Sequence, residues 1–395
     1  MSQNDLITRA LDNLKKRRQN ILDGNVNSLP PPFPRFADDF IGFEQGSYLT
    51  VTSYTKGAKT QFTLHLLFAA LYYIYHNREK ARLKIFYYPL EETPERILHR
   101  FMSWILNKEE KFRIAPRDLR SSRNEYPVSE EVISLVETKY RHYLDFFNEV
   151  FVFSSTSNPT GIYKECRKYA EDNGTCHMKA TKYKDDLGVL HDVQTLDWYE
   201  ANDPFEYRII VIDHIGLIDT EKGLTLKQSI DKMSEYCAKE LRNKYNFTPI
   251  VIQQQSAESE NNDSVKLNRI RPSGMGLSDS KYTQRDCNIL MGLFSPFKFG
   301  LKEYMGYDIT KFKDNIRFLE ICINRDGELG GIIALFFDGA TCSFTELPKP
   351  DDKIALERVY KYLESIRTPV IPNKVMFLFG SIKDKFNKLI NNFKN

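Results

Sequence analysis

The chain has 395 residues, 41% apolar and 28% charged, which excludes a disordered polymer and allows one large packed domain or two ordinary ones. Its 56 basic residues nearly cancel 53 acidic ones, leaving a formal charge of +3. A global polycation is therefore excluded, and any contact with nucleic acid must come from a local basic surface.

The six cysteines (Cys166, Cys176, Cys237, Cys287, Cys322 and Cys342) are scattered, with no C-x-x-C. That is the usage of a reducing compartment rather than of a disulfide framework. Cys176, His177 and His191 match no common zinc spacing. The N-terminal "MSQNDLITRALDNLKKRRQ" is charged and lacks an apolar signal core, and no apolar run is long enough to span a bilayer. The expectation is a soluble, cytoplasmic protein with no membrane partner.

In chain order, residues 3–22 predict a helix. Leu6, Ile7, Ala10, Leu11, Leu14, Ile21 and Leu22 recur near helical spacing, with Lys15, Lys16, Arg17 and Arg18 on the remaining face. "SLPPPFPRF", with four prolines, then predicts a stiff, extended stretch. Such a helix has little core of its own and docks either on its own domain or on a neighbouring subunit; the sequence leaves both open. From Gly46 the pattern changes to strand "SYLTVTS", long apolar helix "TQFTLHLLFAALYYIYHNREKARL", strand "KIFYYPL", and a helix opening at Thr93-Pro94-Glu95. "YRIIVID" and "FTPIVIQ" predict two further buried strands flanking the helix "LTLKQSIDKMSEYCAKELRNKY". "CNILMGLF", "RFLEICIN" and "GIIALFFDG" follow. Continuous apolar strands alternating with helices predict an α/β fold, its sheet mostly parallel with helices on both faces. The last strands have no helices between them and predict an antiparallel extension at one edge.

Residues 108–206 look less regular, with one strand in "VFVFSSTS" and a polar, hairpin-like insertion in "GTCHMKATKYKDDLGVLHDVQTLDWYE". Two helical patterns follow Asp351. The last, "SIKDKFNKLINNFKN", sets Ile382, Phe386, Leu389, Ile390 and Phe393 against Lys383, Lys385 and Lys388. It reads first as a helix packed on its own domain, and second as one that docks on a partner or a membrane surface.

The segment that carries chemistry is "SYTKGAKT", Ser53 to Thr60, which nearly fits the phosphate-loop pattern G-x-x-x-x-G-K-[ST]. Lys59 and Thr60 are in place. Ser53 and Ala58 occupy the two glycine positions, and Gly57 stands one position early. Between a strand and a helix, the backbone N–H groups of such a loop face phosphates. Lys59 would then reach the β- and γ-phosphates and the Thr60 hydroxyl would hold Mg²⁺. "IIVIDH" places Asp213 at the carboxyl end of a buried strand, where it can hold Mg²⁺ through its water shell. Glu91, just after the strand in "YYPLEETPERILHRF", can polarise an attacking water. Glu92 reads instead as a solvated acid at a helix N-terminus. Gln255, after "TPIVIQQ", is the candidate sensor of nucleotide state, with three glutamines in a row leaving its assignment soft.

In this order, the segments resemble the DnaB-like replicative helicases, hexameric motors with a RecA-type ATPase core. "GFEQGSYLTVTSYTKGAKT" resembles that family's entry into its phosphate loop. "FYYPLEETPERILHRF" is similar to its strand-Leu-Glu-helix segment, "IIVIDHIGLI" to its Walker B strand, and "TPIVIQQQ" to its strand ending in a sensor Gln. "LSDSKYTQRDCNILMGLF" resembles its Ser-Gly-x-Ile-Glu-Gln-Asp-Ala-Asp stretch with Asp286 matched, and "EICINRDGELGGIIALFF" its K-x-R-x-G-x-x-G hairpin with Arg325 at the Arg. The resemblance runs from about Ile21 to Phe344. It implies a RecA-like P-loop NTPase core that binds ATP and Mg²⁺ through Ser53, Gly57, Ala58, Lys59, Thr60 and Asp213. Glu91 becomes the catalytic base, Gln255 the sensor, and Arg325 the residue that completes a neighbouring subunit's site. Single-stranded DNA is the implied partner, held by Lys266, Arg269, Arg271 and Lys281 in the loop region after Gln255, although Glu258, Glu260 and Asp263 offset part of that charge. The implied assembly is a hexameric ring with a primase or loader as further partner, and the compact form fits a phage or mobile-element replication protein.

The implied division is a linker-type helix at 1–28, the ATPase core at 29–350 with the insertion at 108–206, and a helical tail at 351–395. Three departures stand out. Glycines are missing at Ser53 and Ala58. Ile323 stands where the family carries a Lys two residues before the finger Arg. Within these residues only a helix precedes the core, where the family carries an N-terminal helical domain. Two rival readings follow: a RecA-fold ATPase that does not unwind, and a DNA-binding scaffold with a decayed loop. Lys59, Thr60, Glu91, Asp213 and Arg325, all retained, count against the second.

Overall fold

The computed structural model describes residues 3–367 apart from 123, 125–126, 186–187, 258–269, 326 and 328–329. A nine-stranded sheet organises the chain. Its strands are β1 (Leu49–Ser53), β2 (Arg82–Pro89), β3 (Phe151–Phe153), β4 (Glu206–Asp213), β5 (Thr248–Gln254), β6 (Ile289–Phe294), β7 (Ile316–Asn324), β8 (Ile332–Asp338) and β9 (Ser343–Glu346). They lie in the order β9-β8-β7-β6-β1-β5-β4-β2-β3. The six strands from β6 to β3 are mutually parallel; β7, β8 and β9 extend the β6 edge antiparallel. Of the late segments, "CNILMGLF" thus joins the parallel set beside β1, and only the strands after it form the antiparallel extension.

The parallel strands are continuously apolar because both faces are covered. Side chains alternate with the two-residue period of a strand. Ile85 and Tyr87 of β2, with Val51, Val211 and Ile252, face the helices α2 (Lys59–Tyr75), α3 (Pro94–Glu110) and α4 (Arg141–Val150), where Leu67, Phe68, Phe101 and Phe147 close the layer. Phe86, Ile210, Ile212 and Val251 face the opposite layer, in which Ile162 and Cys166 of α5 (Pro159–Asp172) and Ile230 and Met233 of α6 (Leu226–Glu235) are buried. Each large apolar side chain so withdrawn from water contributes about 1.5–3 kcal/mol. A third cluster joins Phe312 and Phe318 to Leu356 and Leu363 of α7 (Lys353–Arg367) beneath the antiparallel extension.

Residues 108–206 are more regular than their sequence implies. They supply α4, the edge strand β3, α5 and a long antiparallel hairpin, Gly174–Lys184 with Leu190–Ala201. The hairpin lies outside the main sheet and is exposed along most of both arms, so no buried face imposed an alternating pattern on its sequence. The N-terminal helix α1 (Gln3–Leu22) forms as the periodicity predicts. It touches the rest of the chain through polar groups: Arg17 pairs with Glu44, and the Arg9 guanidinium lies over the Trp198 ring at 5.3 Å. Its apolar residues Ile7, Leu11, Leu14, Ile21 and Leu22 remain more than half exposed.

All six cysteines are free. Among the described residues no helix is long and apolar enough to cross a membrane, and no group of three or more His, Cys, Asp or Glu is placed to hold a metal. His177 stacks on Trp198 and His191 pairs with Asp185. The amphipathic segment 381–395 lies outside the described residues.

Candidate nucleotide-binding site

Loops at the carboxyl ends of β1, β4, β2 and β5 meet at one edge of the parallel sheet, the position at which open α/β sheets bind ligands. The loop from Ser53 to Ala58 leads from β1 into α2. Ser53 is fully buried and its hydroxyl donates to the Tyr54 carbonyl at 3.0 Å. A Cβ on Gly57 would lie 2.5 Å from Ser53 Oγ and 2.9 Å from the Tyr54 carbonyl oxygen. The glycine at 57 is therefore required by the side chain at 53. Ala58, at the second glycine position of the pattern, has φ 74° and ψ 27°. It keeps the left-handed conformation that a glycine would adopt freely, at a cost to an L-residue of about 1–2 kcal/mol. Its methyl packs against the apolar cluster beneath α2.

From this loop α2 begins at Lys59, so its first N–H groups, which have no intrahelical partners, open at the loop. The Thr60 hydroxyl donates to Asp213 Oδ1 at 2.9 Å and the Tyr87 hydroxyl donates to Oδ2 at 2.7 Å. Asp213 is buried, 3% exposed. Burial pushes its carboxyl up to about 6, against the two hydrogen bonds and the Lys59 charge, which favour the ionised form. Burial also lowers the Lys59 ammonium, with Asp213 and Glu91 pulling it back. The donor set of an ammonium, a hydroxyl, a buried carboxylate and helix N-terminal amides suits a nucleotide phosphate with a divalent cation.

Glu91 follows β2 and is held alongside by the Leu90 N–H, which donates to the Asp213 carbonyl at 2.8 Å. Its carboxylate is 56% exposed and lies 3.9 Å from His214 Nε2. Glu92 is not solvated as expected. It accepts both arms of Arg100 from the first turns of α3 and is largely buried with it. That ion pair leaves Glu91 as the carboxylate that faces the site.

The glutamines divide by strand alternation. Gln255 is 1% exposed; its amide nitrogen donates to Thr52 Oγ1 and to the Ser273 carbonyl, both at 2.9 Å, and its oxygen accepts from the Ser273 N–H at 3.3 Å. Gln253 is buried the same way, on Ser278, Ser280 and Thr283. Gln254 points to the other side, where its amide donates to Thr55 Oγ1 of the phosphate loop at 2.5 Å. The glutamine that touches the loop is thus Gln254, and Gln255 serves instead as a buried tie between β5 and the 273–277 turn.

Arg325 does not join this cluster. β7 ends where β6 begins, with Asn324 opposite Ile289 and Ile289 beside Leu49. Arg325 therefore lies at the amino end of β1, about 16 Å along the strand from its carboxyl end at Ser53. It is exposed, and its guanidinium donates to the Cys287 carbonyl at 2.7 Å and to that of Arg285. Of the four basic residues expected to hold DNA, Lys266 and Arg269 lie outside the described residues. Arg271 pairs with Glu320, and Lys281 donates to the Met275 and Leu277 carbonyls. Lys281, with His214, Gln254, Ser256, Met275 and Ser278, lines a cleft of about 530 Å³ beside the phosphate loop.

Two cations of the β6–β7 segment, neither signalled by a motif, also reach the loop. Lys298 Nζ donates to the Thr55 carbonyl at 2.9 Å. Arg317, 1% exposed, donates from Nε to the Gly57 carbonyl at 3.1 Å. A signal existed for the second: an arginine inside the apolar run "IRFLEICIN" must find buried partners. Tyr87 could likewise have been read from strand period, since it shares the α2 face with its neighbour strand's Asp213.

The fold is that of a RecA-like P-loop ATPase core. No family model matches the chain, and no curated protein matches it. Among solved structures it is similar to one described as an isolated ATPase domain, with a TM-score of 0.60 and 15% identity over 88% of this chain and 99% of that one. It is equally similar to a DnaB-like replicative helicase whose structure was described with its interactions with primase, with a TM-score of 0.60 and 15% identity over 87% of this chain and 68% of that one.

Proposed function

We propose that the chain is an ATP-driven DNA helicase motor of DnaB-like type, working as a ring with ATP at subunit interfaces. The observation that carries the reading is the joining of Lys59, Thr60 and Asp213 at a loop whose glycine-type backbone survives at Ala58. Lys59 and the amides opening α2 bind the phosphates. Thr60 and Asp213 hold the divalent cation, which when bound supplies charge neutralisation at the phosphate oxygens. Tyr87 fixes the second carboxylate oxygen of Asp213. Glu91 orients a water and takes its proton. Gln254, bonded to the loop at Thr55, takes the sensor role expected of Gln255. Arg325 acts on the next subunit's site, and α1 docks its exposed apolar face on that neighbour. Lys266, Arg269, Arg271 and Lys281 contact single-stranded DNA. The division into an N-terminal helix (1–28), a core (29–350) and a tail (351–395), a cytoplasmic location, and a primase or loader as partner belong to the same proposal.

The test is ATP hydrolysis with and without single-stranded DNA, wild type beside Glu91→Gln, with ring assembly followed in parallel. DNA-stimulated turnover that falls about 10²–10⁴-fold in the variant supports the motor and its base. Turnover without strand displacement would favour the ATPase that does not unwind. That reading draws on Ile323, which packs half-buried against an apolar cluster and supplies no cation in trans. No turnover from an assembled wild-type ring would favour the scaffold.

A further inference from the structure

Arg317 stands in β7, two strands away from the phosphate loop's own strand, yet its guanidinium lies directly against the loop. It is one of the largest fully buried side chains among the described residues. Nε donates to the Gly57 carbonyl at 3.1 Å, Nη1 to the carbonyls of Asp314 and Ile316 at 2.8 Å, and Nη2 to the Asp314 carboxylate at 2.9 Å. The Phe337 ring lies 4.6 Å from the guanidinium carbon. The β7 end of the contact is therefore fixed on several sides, and the free end of the fork is given to one loop carbonyl.

The peptide it grips is the one that matters. In a planar trans peptide the carbonyl and the following N–H point in opposite directions. With the Gly57 oxygen held toward Arg317, the Ala58 N–H must point away from β7. The same grip fixes the peptide plane about which Ala58 takes its φ of 74°, a conformation that alanine does not hold by preference. Ala58 starts α2 with no side-chain cap of its own. Lys298 holds the loop only at Thr55, from an exposed stem.

We propose that Arg317 is the positioning residue of this phosphate loop, clamping the Gly57–Ala58 peptide so that an alanine can occupy a glycine position. A loop with glycine at 58 would adopt the shape unaided; this one borrows it from β7. The inference rests on reading the loop as a phosphate site, and its test separates the two.

Arg317→Lys keeps the charge and most of the stem but loses the fork; Arg317→Gln keeps a donor without the charge. Each is made alone and with Ala58→Gly. The first measurement is amide exchange of the segment 53–60 in the nucleotide-free protein, which needs no ligand. Exchange about tenfold faster in Arg317→Lys, with β4 and β5 unchanged, is the expected result. Unchanged exchange in a folded variant overturns the proposal. The second is the affinity for a fluorescent ATP analogue with Mg²⁺. Arg317→Lys should weaken it about tenfold, and about threefold or less in the Ala58→Gly background, because coupled sites are not additive. Equal losses in both backgrounds would make Arg317 a merely structural residue and overturn the clamp. A wild type that binds no analogue would sink the phosphate-site reading, while the exchange measurement still decides the clamp. If Arg317→Gln does not fold, Arg317→Lys carries both measurements.

Discussion

The Thr60 hydroxyl donates to Asp213 Oδ1 at 2.9 Å, joining the first turn of the helix after the phosphate loop to the carboxyl end of the central strand β4. Tyr87 takes the other oxygen. The carboxylate is thus oriented before any cation arrives, and it is held there although burial raises its pKa. Removing the charge should relieve the fold and disable the site. Asp213→Asn is expected to melt at or above the wild-type temperature, since an isolated buried charge is unfavourable. Mg²⁺ with ATP should stabilise the wild type, by about 2.7 kcal/mol at a hundredfold excess over Kd, and leave the variant unmoved. Thermal melts with and without Mg²⁺ check this; equal stabilisation of both proteins would remove Asp213 from the cation's shell.

The loop itself predicts opposite outcomes at neighbouring positions. At Ala58 a glycine would remove a left-handed strain of about 1–2 kcal/mol and add about 0.5–1 kcal/mol of unfolded-state entropy. Ala58→Gly should therefore raise stability slightly, by less than about 1 kcal/mol. At Gly57 an alanine would meet Ser53 Oγ at 2.5 Å. Gly57→Ala should cost about 1–3 kcal/mol, as overpacking does, and Ser53→Gly should recover most of that loss in the double variant. Urea titrations of the four proteins measure each term. A Gly57→Ala penalty that Ser53→Gly leaves intact would disprove the pairing of the two positions.

Much of this was legible beforehand. The alternation of apolar strands with helices announced the parallel sheet, and the order Lys59, Glu91, Asp213 along it followed from where each strand stopped. What resisted reading were the partners supplied across the fold. Tyr87 reaches Asp213 from a neighbouring strand, Arg317 reaches Gly57 from 260 residues away, and no local spacing encodes such pairs. The three glutamines show the limit on a smaller scale. Strand period separates Gln254 from Gln253 and Gln255, but which side faces the loop depends on how β5 lies against β1. The hairpin at 174–201 was understated for the converse reason, that an exposed ribbon leaves no burial pattern.

His65 gives a pH dependence located away from the site. Its Nδ1 accepts from Trp104 Nε1 at 3.0 Å within the α2–α3 layer, and burial, aided by the Lys108 charge, depresses its pKa from 6.5 to about 3. Below 6.5 the unfolded chain takes up a proton that the folded protein refuses. The stability His65 contributes is therefore complete above 6.5 and lost as the pH falls toward 3, at a limiting slope of about 1.4 kcal/mol per unit. His65→Gln keeps an acceptor for Trp104 without titrating. Urea unfolding at pH 7 and pH 5 should show a smaller drop for the variant than for the wild type; parallel drops would place the acid sensitivity elsewhere.

The last prediction concerns Arg325, which the fold keeps out of its own site. It follows the end of β7 beside the amino end of β1, while the phosphate loop leaves the carboxyl end. No side chain spans that separation, so a catalytic role for Arg325 requires a second subunit whose phosphate loop meets this edge. There the guanidinium must exchange the Cys287 and Arg285 carbonyls for phosphate oxygens, and an exposed side chain can make that exchange. Arg325→Ala should then bind nucleotide as the wild type does and lose hydrolysis by about 10³-fold or more. Lys59→Ala should lose nucleotide binding. Mixed in equal amounts, the two inactive proteins should regain activity, because about a quarter of the interfaces in a randomly mixed closed ring pair an intact Lys59 with an intact Arg325. A mixture as inactive as its parts, in rings shown to exchange subunits, would mean that Arg325 serves only its own chain, as a brace for the start of β6.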